Sequence, residues 1–494
     1  MKRWISLLMT AAVLLSLAAC GLPGRQTGGV QEGEIVELEP AAVQPTEEAI
    51  MEENVSVTEK NSPPEPKNAL LAAAVYPETI PCPREEDYRG TDGRLSEDYF
   101  LAYNSWADAL EASQERATAG GANIASFLQK SLPRFLSNTE GKNLVYSPLN
   151  VYIALAMLAE LTEGESRKQV LSLLGAEDLE AVRTSVRDLW EGTYRDDGTV
   201  TTLLASSLWL SDRVSFHQST MDTLAERYYA SSYRGTMGSP AFNRALQSWI
   251  NEQTGELLEK QASELEMDAR TILALVSTIY FKAAWVTRFS EDRTEPAVFH
   301  SPSEDMTADF LHQSGAREYY WGERFSAVSQ PLENGGAMWL LLPDEGVTPE
   351  ELLLPGEALE FLLSQNKPDW EKQKYLRVNL SLPKFDVSSN VDLIPGLTAL
   401  GVRDVFDYTV SDFSPMTADT DEVYVSQAEH AARVLIDEDG CTAAAYTVLM
   451  TRFGAAMPPE EEIDFILDRP FVFCITASAG LPLFVGIVNL PVED

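Results

Sequence analysis

Apolar residues recur at three- and four-residue intervals in the first part of the chain. Beyond Ala122 they are spaced as on one face of a buried helix, at Ile124, Phe127, Leu128, Leu132 and Phe135. Pro148 predicts the start of a second helix, because proline at the first helical position has no amide hydrogen to leave unpaired. A weaker helical period runs through residues 99–110, and the pattern alone assigns it no role.

Other stretches are rich in β-branched and aromatic residues or alternate between apolar and polar positions. They predict strands over residues 203–210, 272–281 and 375–382, and two more within residues 467–490 that are separated at Gly480. A further helical pattern covers residues 245–259. Helices interspersed with these strands predict an α+β fold with a large, mostly antiparallel sheet.

The first twenty residues have the pattern of an export signal. Lys2 and Arg3 precede an apolar run over residues 5–17, which is too short for a stable membrane-spanning helix. The run ends in Leu-Ala-Ala-Cys-Gly, which resembles the cleavage box of bacterial lipoproteins, and this resemblance implies that Cys20 is lipidated. An ordinary signal peptide with an incidental cysteine is the alternative. We expect an exported cell-surface lipoprotein that contacts the membrane through its lipid anchor only.

Residues 21–85 form a break in composition. Between residues 31 and 66 the chain is rich in Glu, Pro, Thr and Val, and Lys60 is the only basic residue. Low hydrophobicity and like charge leave too little apolar burial to offset the entropy of ordering. We therefore predict a disordered acidic linker over residues 21–85 and a folded domain over residues 86–494.

Charge and composition exclude several classes of function. The 494 residues carry a formal net charge of −39, and such a polyanion repels nucleic acid. The histidines and the cysteines after Cys20 have no metal-ligand spacing, so we expect neither a metal nor a cofactor, and we interpret Cys441 and Cys474 as small apolar residues. The chain has neither a Gly-x-Ser-x-Gly nucleophile motif nor a Gly-rich phosphate loop. We therefore expect that the protein is not an enzyme.

Several short stretches, in a fixed order, resemble the serpin family from about residue 122 to the C-terminus. They are residues 143–150 (Asn-Leu-Val-Tyr-Ser-Pro-Leu-Asn), Asn251 with Thr254-Gly255, Ile279-Tyr280-Phe281-Lys282 with Trp285, Leu382-Pro383-Lys384-Phe385, Glu438-Asp439-Gly440, residues 468–473 and Leu483-Phe484-Val485-Gly486. The resemblance implies a serpin fold, with a large central mostly antiparallel sheet, surrounding helices and an exposed reactive loop. It also implies a monomer that inhibits a serine protease, with a cysteine protease as the alternative target.

The same resemblance implies a polar shutter beneath the central sheet, formed by Ser147, Asn150 and His430. Asn150 stands where the family usually has serine, and Ser277 and Thr278 stand where it has Asn-Ala. We therefore expect the hydrogen bonds of this shutter to be rearranged. Reading Ser147 and His430 as a catalytic nucleophile and base is less favoured than buried structural hydrogen bonding.

The predicted reactive loop follows a hinge near Glu438. The family register implies hinge residues Glu438, Gly440, Cys441, Thr442, Ala443, Ala444 and Ala445. Alternate residues from Cys441 to Phe453 include no charge and no proline, as an inserted central strand requires, because proline cannot donate to a ladder and a buried unpaired charge is costly. Once cleaved, such a loop can add to its own sheet as a strand.

Counting along the family register from Glu438 implies Gly454 as the residue before the scissile bond, and a register one residue shorter gives Phe453. We predict cleavage near Phe453-Gly454, with Arg452 and Ala455 as alternative positions. The competing hypothesis is a non-inhibitory serpin-fold protein that binds a ligand or has a structural role. It predicts a proline, a charge or a bulky residue in the hinge, and residues 440–445 contain none.

Overall fold

The computed structural model describes residues 69–77, 79–364, 367–420, 422–441 and 459–491. The helices of this part of the chain are α1 (Glu97–Leu136), α2 (Pro148–Leu161), α3 (Gly164–Leu174), α4 (Leu179–Thr193), α5 (Gln218–Arg227), α6 (Pro240–Gln253), α7 (Glu259–Glu264), α8 (Pro349–Leu352), α9 (Glu357–Leu363) and α10 (Ile394–Ala399). None of them combines the length and the apolar character that a bilayer-spanning helix requires.

The strands form two sheets. They are β1 (Ala69–Ala72), β2 (Leu144–Tyr146), β3 (Arg195–Asp196), β4 (Thr201–Ser211), β5 (Ala230–Gly235), β6 (Leu273–Ala284), β7 (Glu295–His300), β8 (Asp305–Trp321), β9 (Phe325–Pro331), β10 (Ala337–Pro343), β11 (Gln373–Pro383), β12 (Phe385–Asp392), β13 (Glu429–Ile436), β14 (Gly440–Cys441), β15 (Glu462–Ile466), β16 (Phe471–Thr476) and β17 (Pro482–Val488).

The first sheet has eight strands in the order β1-β5-β4-β6-β14-β13-β12, with β3 paired to β4. The second has nine strands in the order β15-β11-β8-β9-β10-β16-β17-β2, with β7 paired to β8. Among these pairs, β4 with β5 and β11 with β15 are parallel, and the others are antiparallel. The predicted α+β fold with large, mostly antiparallel sheets is confirmed.

Helix α2 lies in the core and contacts β6 of the first sheet and β17 of the second. Its sequence is apolar on every side, as expected for a helix that is buried all round. Pro148 occupies the first turn, and the Ser147 hydroxyl caps the helix by accepting a hydrogen bond from the Asn150 amide. The predicted start of this helix is therefore confirmed, and Ser147 and Asn150, two of the three predicted shutter residues, lie at this end of the helix.

The segment before Ser96 contradicts part of the predicted linker. Residues 69–72 form β1, which pairs with β5 at the edge of the first sheet. The ring of Tyr76 stacks on Trp190, with centroids 5.3 Å apart, and on Tyr194, with centroids 5.8 Å apart. The linker boundary at residue 85 is therefore wrong, because apolar and aromatic side chains attach residues 69–77 to the folded body. Residues 21–68 lie outside the described part of the chain.

Helix α1 includes both the predicted helix after Ala122 and the weaker pattern before it. Its middle packs closely on α4, where a Cβ added to Gly192 would lie 2.4 Å from the amide nitrogen of Ala117. The single helix predicted over residues 245–259 is confirmed up to Gln253 and is wrong beyond it. The structure has α6 and α7 instead, because Gly255 and Glu256 adopt left-handed backbone conformations with φ of 57° and 64°. The predicted strands are confirmed as β4, β6, β11, β16 and β17.

Candidate functional site

The candidate site is the hinge strand β14 and the two long strands that flank it. Cys441 pairs with Ala283 of β6 and with Ile436 of β13, and Gly440 pairs with Ala284 of β6. Within the described residues, β6 and β13 are joined through β14 alone. The two residues of β14 thus separate β6 from β13 by the width of one strand, about 4.8 Å on each side.

A tight turn over residues 437–440 brings the chain from β13 into β14. The Asp437 carboxylate accepts hydrogen bonds from the amides of Asp439, at 2.9 Å, and Gly440, at 3.1 Å, as aspartate commonly does in turns. A Cβ at Gly440 would lie 2.3 Å from the carbonyl oxygen of Ala283. Glycine is therefore required here because the backbone of β6 passes so close to the hinge.

Glu438 anchors this turn to the residue between β11 and β12 and to the residue before β7. Its carboxylate accepts hydrogen bonds from Lys384 Nζ at 2.8 Å and from the Thr294 hydroxyl at 2.8 Å. Burial opposes ionisation of this carboxyl group, but these hydrogen bonds outweigh it and lower the pKa of Glu438 below its ordinary value. The predicted hinge glutamate is therefore a charged anchor.

The segment that follows β6 forms the opposite wall of the turn. The Trp285 amide donates to the Asp439 carbonyl at 3.0 Å, and the Phe289 amide donates to the Glu438 carbonyl at 3.0 Å. Arg288, between them in sequence, donates from Nη1 to the Asp439 carboxylate at 2.9 Å. Backbone and side-chain contacts together hold the turn against this wall.

The three predicted shutter residues lie together below the hinge. The Ser147 amide donates a hydrogen bond to Nε2 of His430 at 2.9 Å, so this nitrogen carries no proton. Burial lowers the pKa of His430 to about 4, because the surroundings disfavour the imidazolium. His430 is therefore neutral at physiological pH and connects β13 to the end of β2.

Asn150 connects helix α2 to β6. Its side-chain Nδ2 donates to the Ser277 carbonyl at 2.9 Å, and the Ser277 hydroxyl receives a hydrogen bond from the Ser206 hydroxyl at 3.4 Å. The other amide oxygen of Asn150, Oδ1, is buried and has no hydrogen-bond partner within the described part of the molecule. The rearrangement expected from Asn150 and Ser277 thus joins the helix to the strand directly.

A groove of about 180 Å³ runs between β6 and β13 above helix α2. Its lining is mostly apolar and comes mainly from α2, from the start of β6 and from the segment before β13. The lining includes Asn150, Leu155, Leu275, Ser277, Glu429 and His430. The groove continues the line of β14 along the two strands.

Several predicted site residues lie outside the described part of the chain. They are Cys20, Thr442, Ala443, Ala444, Ala445, Arg452, Phe453, Gly454 and Ala455. Of the hinge, the structure places Glu438, Gly440 and Cys441, and Cys441 is buried at 3% exposure, as is Cys474 at 0%. Sequence reasoning missed Thr294 and Arg288, because their contacts with the hinge span about 150 residues and follow no local pattern.

The comparisons with known proteins agree with this geometry. Residues 122–491 match the family described as "Serpin (serine protease inhibitor)". The chain belongs to the serpin family. Mouse neuroserpin is 28% identical over 401 residues, which cover 78% of this chain and 94% of that protein. The leukocyte elastase inhibitor of Sus scrofa is 29% identical over 392 residues, which cover 76% of this chain and 100% of that protein.

Solved serpin structures share the fold. The native state of the thermophilic serpin tengpin has a TM-score of 0.65 at 23% identity, over 74% of this chain and 93% of that chain. Thyroxine-binding globulin in complex with thyroxine has a TM-score of 0.63 at 22% identity, over 75% of this chain and 99% of that chain. Serpins are generally protease inhibitors and not enzymes, and β14 occupies the strand position between β6 and β13 in this member.

Proposed function

We propose that this serpin inhibits a serine protease as a suicide substrate, by inserting its cleaved loop between β6 and β13. The observation that carries the proposal is β14, because Cys441 already pairs with both strands and Gly440 pairs with β6. Insertion then extends a strand that has begun, along a groove lined mainly by apolar side chains.

Continuing the β14 register predicts the pairs of the inserted loop. Each residue further along the loop pairs with one residue earlier on β6 and on β13. Cys441 is opposite Ala283 and Ile436, so residue 447 would be opposite Ser277 and also opposite His430. The two registers come from different strand pairs, and both would bring residue 447 to the shutter, where Oδ1 of Asn150 has no partner among the described residues.

The same register supports the assignment of alternate loop residues to the buried and the exposed face of the sheet. Directly opposite residues of neighbouring strands share a face of the sheet. Ile436, Val434 and Ala432 of β13 are buried, and residues 441, 443 and 445 would be opposite them. The residues on this face would be cysteine and alanines, which fit a packed interior without charge.

The available pairing also bears on the scissile bond. The register reaches the end of β13 at residue 448 opposite Glu429, and the end of β6 at residue 451 opposite Leu273. A cut after Phe453 or Gly454 would leave all of these residues on the inserting side. We therefore propose cleavage near Phe453-Gly454, which suits a chymotrypsin-like or an elastase-like specificity pocket.

Trapping combines cleavage of the loop by the protease with the free energy of loop insertion. The protease serine hydroxyl attacks the carbonyl carbon of the scissile peptide and forms an acyl-enzyme ester. The carbon–nitrogen bond of that peptide breaks, and the hydroxyl proton passes to the leaving amine, which becomes the new amino terminus. Ten or so new backbone hydrogen bonds contribute on the order of 10 kcal/mol, before packing and ordering terms. This is comparable with the stability of an ordinary domain, so insertion can displace the attached protease before the ester is hydrolysed.

The deciding experiment mixes the purified protein with chymotrypsin and, separately, with pancreatic elastase. We expect an adduct that survives denaturing electrophoresis and a released C-terminal peptide whose mass identifies the cleaved bond. Clean cleavage without adduct would reject inhibition. It would favour the alternative of a non-inhibitory serpin that binds a ligand, as the thyroxine-binding globulin among the similar structures does.

We also propose that the chain is a cell-surface lipoprotein anchored through Cys20. The export pattern and the cleavage box described above support this proposal. Cells fed a clickable palmitate analogue should label the parent protein in the membrane fraction and should not label Cys20→Ala. Equal labelling of both proteins would reject the anchor, without bearing on inhibition.

A further inference from the structure

Within the described part of the chain, two ion pairs join the hinge turn to other segments, and the family-type block Leu-Pro-Lys-Phe provides one of them. Lys384 from that block binds Glu438, whereas Arg288 binds Asp439 at 2.9 Å. Glu438 and Asp439 are adjacent in sequence, and their partners come from different segments. Ion pairs with two separate segments therefore hold the turn in place.

The contact of Arg288 with Asp439 is built into the wall that carries the turn. Arg288 lies between Trp285 and Phe289, whose amides bind the carbonyls of Asp439 and Glu438. Its side chain is 32% exposed, that of Asp439 is 48% exposed, and the Nη2 atom of Arg288 is buried. The guanidinium thus lies against the protein, in a setting where an ion pair is screened less than at an open surface.

The backbone of the turn over residues 437–440 is held by a side chain of the turn itself. Asp437 accepts hydrogen bonds from the amides of Asp439 and Gly440, so the backbone conformation of the turn is held independently of Arg288. The ion pair can then act on the position of the whole turn relative to β6. That position determines whether Gly440 stays within the close approach to Ala283 that β14 requires.

We propose that Arg288 is a positioning residue for loop insertion. With Asp439 it holds the turn over residues 437–440 against the wall after β6, so that Gly440 and Cys441 keep their register between β6 and β13. The inference rests on the proposed function for its effect on inhibition, although the positioning itself concerns the uncleaved protein. Arg288 acts through the hinge and does not touch the protease.

The test compares Arg288→Ala, Asp439→Ala, the double variant and the charge-swapped Arg288→Asp/Asp439→Arg protein. Hydrogen exchange of the Trp285 and Phe289 amides in the uncleaved protein reports the position of the turn. A partly exposed ion pair of this kind predicts exchange roughly two- to fivefold faster in each single variant. The double variant should be no faster than the singles, and the swapped protein should return toward the parent rate.

A second readout is the number of inhibitor molecules consumed per chymotrypsin molecule trapped, which should rise in the single variants and fall again in the swapped protein. The matched control is Asp386→Asn, which breaks the ion pair between Arg433 and Asp386 on β13 and β12, with similar exposures of 32% and 42%. This control should leave the exchange of the Trp285 and Phe289 amides unchanged.

Unchanged exchange in Arg288→Ala, or an equal change in the Asp386→Asn control, would overturn the positioning role. If the parent protein forms no adduct with chymotrypsin or elastase, the proposed function fails. The exchange measurement still decides whether Arg288 positions the hinge, so the two failures are distinguishable.

Discussion

The amide of Ser147 and the Nε2 atom of His430 are 2.9 Å apart and form a hydrogen bond. This bond links the end of β2, which belongs to the nine-stranded sheet, to β13 of the eight-stranded sheet. It requires a neutral imidazole, because a protonated Nε2 would present a hydrogen to another hydrogen. The junction between the two sheets is consequently sensitive to acid.

The first prediction concerns that sensitivity. The pKa of His430 is lowered to about 4 in the folded protein, against an ordinary value near 6.5. Between these values the unfolded chain binds more protons, so the free energy of unfolding falls as the pH falls. We expect a loss of about 2 kcal/mol between pH 7 and pH 5, measured by urea unfolding.

The control for this prediction is His430→Gln, which has no group that titrates in this range. The difference between the parent and the variant should shrink as the pH falls from 7 to 5. A parent and a variant with identical pH profiles would show that His430 does not titrate as its burial implies.

The second prediction concerns the close approach at the hinge. In Gly440→Ala the new Cβ meets the backbone of β6, which cannot move aside as a side-chain end can. We expect β14 to be displaced and adduct formation with chymotrypsin to slow roughly tenfold, which corresponds to about 1.4 kcal/mol in the barrier. Stopped reactions separated on denaturing gels measure this rate.

Gly315→Ala is the matched control, because it also lies in a strand and its added Cβ would have only the end of Arg317 within 4 Å, at 3.8 Å. It should form adduct at the parent rate. Equal rates in Gly440→Ala and the parent would mean that the position of β14 is not part of insertion.

The third prediction places a charge on the proposed inward face. Ala443→Arg should turn the protein into a substrate, because residue 443 would be opposite the buried Val434 and Phe281, and burying an unpaired charge is costly. Loop cleavage should proceed at the parent rate while adduct yield falls. The neighbouring Ala444→Glu is the control on the opposite face, where residue 444 would be opposite Arg433 and a carboxylate would face an opposite charge. Equal losses in both variants would show that the assigned faces are wrong.

The fourth prediction concerns Asn150. Asn150→Ala removes the hydrogen bond to Ser277 and should lower the free energy of unfolding by about 1 kcal/mol in the uncleaved protein. After loop cleavage the loss should be larger, because residue 447 would donate to Oδ1 of Asn150 in the inserted form. Thermal unfolding before and after nicking measures both values.

Ser389→Ala is the control for Asn150, since the Ser389 hydroxyl bonds only the backbone of Val145 in the described structure, at 2.7 Å and 2.9 Å. Its effect should be the same before and after nicking. An equal effect of Asn150→Ala in the two forms would remove Asn150 from the insertion pathway.

Local patterns predicted the elements that depend on neighbouring residues. The proline at position 148 and the apolar sequence after it predicted α2 because capping and burial act within a few residues. The strand over residues 69–72 was missed, because Ala-Leu-Leu-Ala is short and its partner β5 lies about 160 residues later. The break after Gln253 was missed because Glu256 takes a left-handed conformation that its residue type does not favour.

Some residues of the candidate site could be predicted from the sequence and others could not. The family resemblance grouped Ser147, Asn150 and His430, and the structure places them together, but no spacing along the chain indicates which atoms bond. Thr294 and Arg288 could not be identified from the sequence, because an ordinary threonine and arginine become hinge contacts only when distant segments pack. The partners of each loop residue on β6 and β13 could be predicted only from the register of β14 in the structure.

The short length of β14 has a consequence for how the stored energy of the proposed mechanism is released. Because Cys441 is already paired with both β6 and β13, each further inserted residue adds backbone hydrogen bonds immediately. No unfavourable step of starting a new strand precedes this gain. The free energy gained on insertion therefore grows in proportion to the number of loop residues that precede the cleaved bond. A protease that cleaved several positions closer to Cys441 would leave a shorter segment, which could insert along only part of the groove. The rise in melting temperature on cleavage would therefore increase with the distance of the cleaved bond from Cys441.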